Sequence, residues 1–75
     1  NAWFSTLDLD KGGAIDYRIH TPANGAYIFV IEGAIETAGE ILRHRDGMGV
    51  WDTDQFRIEA TADAQVLIIE VPMGN

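Results

Sequence analysis

Hydrophobic and polar residues alternate with a period of two along much of the chain. Ile15, Tyr17 and Ile19 fall on one face of an extended segment, and Asp16, Arg18 and His20 on the other. Phe56 and Ile58 oppose Arg57 and Glu59 in the same way. Two segments depart from the alternation: Tyr27–Ile31 and Val66–Ile69 are apolar at every position. In an antiparallel domain this predicts strands covered on both sides. A small barrel has only one inside. A partner domain or subunit is the simplest cover for the second face, and an overhanging terminal strand is the plainer one.

Turn-forming clusters separate these segments. They are Asp10-Lys11-Gly12-Gly13, Pro22-Ala23-Asn24-Gly25, Ala38-Gly39, Asp46-Gly47-Met48-Gly49, Asp52-Thr53-Asp54 and Thr61-Ala62-Asp63. Such close spacing predicts an all-β sandwich or barrel. A helix over Ala34–Arg45 would carry Gly39 at its centre, at a cost of about 1 kcal/mol against alanine. Ala38-Gly39 reads better as a hairpin turn between Ile35-Glu36-Thr37 and Glu40-Ile41-Leu42. About a third of the residues are Ile, Val, Thr, Tyr, Phe or Trp, the strand formers.

Composition narrows the function classes. Seventy-five residues make one small domain whose core leaves little stability margin. The absence of cysteine removes disulfide staples and thiolate metal sites. Five basic against twelve acidic residues, a net charge of −7, argue against nucleic acid and against anionic membrane surfaces. Apolar runs such as Ala26–Ile31 fall far short of the roughly 20 residues that span a bilayer. A cytoplasmic location is expected. The chain opens on Asn1 with no initiator methionine, the expectation for a piece of a longer polypeptide.

Candidate chemistry is sparse. His20 and His44 are the only histidines, so this chain alone makes no three-histidine metal site. His20 reads as a partly exposed histidine at a strand end, and His44, between Arg43 and Arg45, as part of a solvated strand edge. Asp8-Leu9-Asp10-Lys11-Gly12-Gly13 begins like a calcium loop but has Ile19 where the bidentate glutamate belongs. Asp52 and Asp54 could divide acid and base roles, yet a turn in which they bond the local backbone accounts for them. No helix pattern follows Gly47-Met48-Gly49 to make it a phosphate loop. Ser5, the only serine, has no histidine near it in sequence.

Tyr27-Ile28-Phe29-Val30-Ile31-Glu32-Gly33 looks like a cupin strand closing on Glu-Gly. With it stand Gly47-Met48-Gly49-Val50-Trp51-Asp52-Thr53-Asp54, Tyr17-Arg18-Ile19-His20 and the terminal Val66-Leu67-Ile68-Ile69-Glu70-Val71-Pro72-Met73. In this order the segments resemble the C-terminal cupin domain of bacterial pirin-like proteins, from Trp3 to Met73. Those are two-cupin chains often described as candidate quercetin 2,3-dioxygenases. The resemblance implies a small antiparallel cupin-type β-barrel (double-stranded β-helix or jelly roll), with residues 1–75 as the single C-terminal cupin domain of a longer chain.

The cupin metal motifs are not retained. In metal-binding cupins the first motif is Gly-x5-His-x-His-x(3,4)-Glu-x6-Gly. Anchored on Gly33, it puts the glutamate ligand at Ala26, the second histidine at Pro22 or Thr21 and the first at His20 or Ile19. The second motif ends on a histidine that falls on Ile58 when the motif starts at Gly47, and on Ala60 when it starts at Gly49. A first-row metal in an oxygenase site needs about three protein donors, so the domain is expected to be metal-free and non-catalytic, completing the two-cupin fold. The family's metal belongs to the N-terminal cupin. The expected partner is that N-terminal cupin, or a second copy when the domain is isolated. Two alternatives stand beside this. One is a stand-alone cupin metalloenzyme using His20 with displaced carboxylates such as Glu32 or Glu70. The other is a small-ligand binding module using the barrel interior near Tyr27 and Trp51.

Overall fold

The computed structural model describes residues 2–20 and 23–72. Eight strands follow one another: β1 (Trp3–Leu9), β2 (Ala14–Arg18), β3 (Asn24–Glu32), β4 (Ala34–Thr37), β5 (Glu40–Arg43), β6 (Gly47–Val50), β7 (Gln55–Ala60) and β8 (Ala64–Pro72). They form two four-stranded antiparallel sheets, ordered β1-β8-β3-β6 and β2-β7-β4-β5. Apart from the β4–β5 pair, successive strands cross between the sheets, which is the double-stranded β-helix, or jelly-roll, arrangement. The all-β expectation and the jelly-roll topology both hold.

Alternation decides which side chains enter the space between the sheets. From the first sheet come Ile28 and Val30 of β3 and Val66 and Ile68 of β8; from the second come Ile35 of β4 and Ile58 of β7, all fully buried. Tyr17, Phe56 and Leu42 complete this core. Tyr17 and Ile19 share its face, as their spacing predicts, and Tyr17 stacks on Phe56 across the β2–β7 register with ring centroids 5.2 Å apart.

The outer faces of the two sheets differ. On the first sheet, Tyr27, Phe29 and Ile31 lie beside Leu67, Ile69 and Val71, with Phe4 of β1 next to Ile69. On the second, the outward positions carry Asp16, Arg18, Arg57, Glu59 and Glu36. The two doubly apolar segments are thus neighbours on one sheet, and their second faces form one apolar surface.

Turns form where local chemistry allows them. Ala38 and Gly39 both adopt left-handed backbone, φ 51° and 78°, as a two-residue hairpin turn between β4 and β5 requires. Gly33 has φ +80°, and a Cβ there would lie 2.8 Å from Ala64 Cα and closer still to the Asp63 carbonyl oxygen. The Glu32-Gly33 corner therefore packs backbone to backbone on the β7–β8 turn. One expected turn is corrected. Gly47-Met48-Gly49 is strand β6, paired with Phe29, Ile28 and Tyr27, and the turn falls just before it at His44–Asp46. His44 is exposed in that turn rather than on a strand edge. Of the Pro22-Ala23-Asn24-Gly25 turn signal, Asn24 and Gly25 instead open strand β3, and Thr21 and Pro22 lie outside the described residues.

Candidate functional site

Glu70 is fully buried at the last inward position of β8. A carboxylate withdrawn from water survives only if donors replace the lost hydration, and four do so here. The His20 backbone N–H donates to Oε1 at 2.8 Å and Asn24 Nδ2 to the same oxygen at 3.1 Å. The Tyr17 hydroxyl and His20 Nδ1 both contact Oε2. Because a carboxylate only accepts, Nδ1 carries the ring proton of this pair. The donors come from β2, the segment after it and the start of β3, so one acid ties three parts of the chain together.

Burial by itself pushes the Glu70 carboxyl pKa upward. The hydrogen bonds from Tyr17, His20 and Asn24 outweigh it and hold the value down at about 2, against 4.5 ordinarily. Tyr17 moves the other way, from 10.0 up to about 12. Burial is the main cause; the hydrogen bond to Glu70 and its charge add to it, and Ser5 opposes them. Both shifts keep Glu70 ionised and Tyr17 protonated near neutrality.

His20 is held by this acid at one ring nitrogen and by Trp3 on one ring face. The Trp3 and His20 rings stack at a centroid distance of 4.5 Å and an interplanar angle of 5°. The rest of the His20 ring is open, the side chain being 43% exposed. His20 and Glu70, two of the residues singled out in the sequence, are therefore brought together, whereas Glu32 is exposed at the far end of β3. The pair does not fit a metal: it supplies two donors where about three are needed, and the carboxylate oxygens are already engaged by protein donors. Among the described residues no three His, Asp or Glu side chains gather as a metal-binding group.

Tyr27 and Trp51 are also brought together, but not where the sequence reading put them. Inward positions on β3 belong to Ala26 and Ile28, so the pleat turns Tyr27 outward, and the interior near it is filled by the core. The two aromatic rings lie over glycines of β6. A Cβ at Gly47 would come 2.5 Å from Tyr27 Cζ, and one at Gly49 would come 2.9 Å from the Trp51 ring. Between the rings opens a cleft of about 190 Å³, with Val71 also lining it. The need for flat, side-chain-free strand under two rings is why β6 carries glycines that look like a turn signal.

The strand order β1-β8-β3-β6 over β2-β7-β4-β5, with the Glu-Gly corner after β3, defines a cupin domain. Residues 1–71 match the quercetinase C-terminal cupin domain family, and the chain belongs to it. It is 30% identical over 71 residues to the candidate quercetin 2,3-dioxygenase PA1210 of Pseudomonas aeruginosa, covering 95% of this chain and 30% of that protein. The chain thus spans under a third of the curated relative it matches. In fold it resembles the Escherichia coli pirin YhhW, solved in complex with nickel(II), with a TM-score of 0.89 and 24% identity over 96% of this chain and 31% of that one. KdgF from a Halomonas species has the same fold at a TM-score of 0.73 and 18% identity, over 97% of this chain and 71% of its own.

Proposed function

We propose that this chain is the metal-free, non-catalytic C-terminal cupin of a two-cupin, pirin-like cytoplasmic protein, and that it completes the fold by docking its apolar outer sheet on an N-terminal cupin of the same polypeptide. The observation that carries this reading is the contrast between the two outer faces. One presents Phe4, Tyr27, Phe29, Leu67 and Ile69 to solvent or half-buried, and the other presents charge. An extended apolar face on a small acidic domain is an interaction surface. The length that the relative has beyond this chain supplies its occupant. Metal and dioxygenase chemistry, on this reading, belong to the N-terminal cupin, with this domain walling the neighbouring site.

The contact between His20 and Glu70 favours a second reading, a stand-alone enzyme built on that pair. Its weakness is that Glu70 has no acceptor left for a metal or a substrate.

The test is metal content and stability of the two-cupin protein. His20→Ala is expected to leave bound metal unchanged, while Leu67→Asp separates the unfolding of the two domains. Loss of stoichiometric metal from His20→Ala would overturn the metal-free reading. A single unfolding transition untouched by Leu67→Asp would overturn the docking.

A further inference from the structure

We propose that the cleft between Tyr27 and Trp51 is the anchor pocket of the interdomain contact, filled by one large apolar side chain of the N-terminal cupin; this rests on the two-cupin reading above. The cleft is built rather than incidental. Glycines at 47 and 49 let the two rings lie flat on β6, and a side chain at either position would displace them. Its remaining walls are small or aliphatic: Gly25, Ala26 and Val50, with Val71 at the rim. The volume of about 190 Å³ compares with the roughly 150 Å³ apolar cavity that accommodates benzene. One phenylalanine, leucine or methionine side chain fills such a space.

The chemistry of the walls selects a side chain over a free ligand. Small-molecule sites place a few convergent polar groups among apolar walls to fix orientation. Here no charged, amide or aliphatic hydroxyl side chain lines the cleft, and the Tyr27 hydroxyl is turned over Gly47. Position points the same way. Through Tyr27 and Val71 the cleft runs into the apolar face of Phe29, Leu67 and Ile69, so a domain seated on that face reaches it. Interfaces concentrate their affinity in a few large side chains set in such pockets.

The test is hydroxyl-radical footprinting, read residue by residue, of the 75-residue chain, kept monomeric at low concentration and low salt, and of the two-cupin protein. The expected result is severalfold protection of Tyr27 and Trp51 in the two-cupin protein, together with Phe4 and Leu67, and its loss at the cleft alone when Val71→Trp fills the space from the rim. Protection of Phe4 and Leu67 with Tyr27 and Trp51 fully reactive would leave the docking reading intact and overturn the anchor pocket. No protection anywhere on the face would overturn the docking reading, and the pocket with it. Protection of Tyr27 and Trp51 in the two-cupin protein only when millimolar phenol is added would mark the cleft as a ligand site and overturn the proposal.

Discussion

Glu70 holds His20 twice, by the ring Nδ1 and by the backbone N–H, one through each carboxylate oxygen. The side chain is thereby oriented and the chain after β2 is fixed to β8 by the same group. Neither half of the carboxylate is dispensable.

Glu70→Gln turns one of these acceptors into a donor facing donors. Hydrogen bonds to a charged group contribute about 1.5–3 kcal/mol each, and an unsatisfied buried partner costs a further 1–3. The variant is expected to lose about 3 kcal/mol or more in urea unfolding, a large part of a small domain's stability.

Stability should fall in acid. The folded-state pKa of Glu70, about 2, lies below its ordinary 4.5. Its contribution is therefore complete above pH 4.5 and disappears as pH falls through the folded value, in the window from 4.5 to about 2. The difference corresponds to roughly 3 kcal/mol. Tyr17→Phe removes one donor and keeps the ring on Phe56, so it should move the acid transition to higher pH. Circular dichroism across this range measures both. Tyr17 has the opposite sign: its contribution is present below pH 10 and declines as pH rises toward about 12.

Two glycines with nearly the same backbone angle should respond very differently. At Gly39, φ +78°, nothing lies near a new Cβ, and Gly39→Ala should cost only about 1 kcal/mol of left-handed strain. At Gly33, φ +80°, a new Cβ would meet the Asp63 carbonyl and Ala64. Gly33→Ala should cost several kcal/mol, or leave no folded protein. Parallel thermal denaturation of the two variants compares them directly.

The isolated chain should self-associate through its apolar sheet face. Each few hundred Å² buried contributes several kcal/mol at about 25 cal/mol per Å², before association entropy is charged. The net charge of −7 opposes contact between copies, and salt screens that repulsion over about 10 Å at 0.1 M. Sedimentation should show dimers strengthening with salt, and Leu67→Asp should return the protein to monomer.

Much of the fold was legible because strand alternation leaves a direct trace: Ile15-Tyr17-Ile19 and Phe56-Ile58 specify their buried faces from spacing alone. The two apolar segments foretold a second covered face, though not that they would be neighbours on one sheet, since pairing of β3 with β8 is a long-range event. The site was less legible. Glu70 ends an apolar run and looks like the polar close of a strand. Its role depends on Tyr17, His20 and Asn24 arriving from more than 45 residues away. The glycines of β6 misled for a physical reason: glycine marks turns, but it also serves wherever a ring must lie against a strand.

Strand β8, the last of the eight, sits between β1 and β3 in the middle of its sheet. Residues 64–72 must therefore leave the ribosome before the first strand gains its neighbour and before Val66, Ile68 and Glu70 enter the core. Until then Trp3–Leu9 and Asn24–Glu32 face the cell with unpaired edges. Such non-local closure is slow and exposes aggregation-prone strands. Polypeptides truncated before Ala64 should need chaperone protection, and folding should begin in earnest only once β8 has emerged.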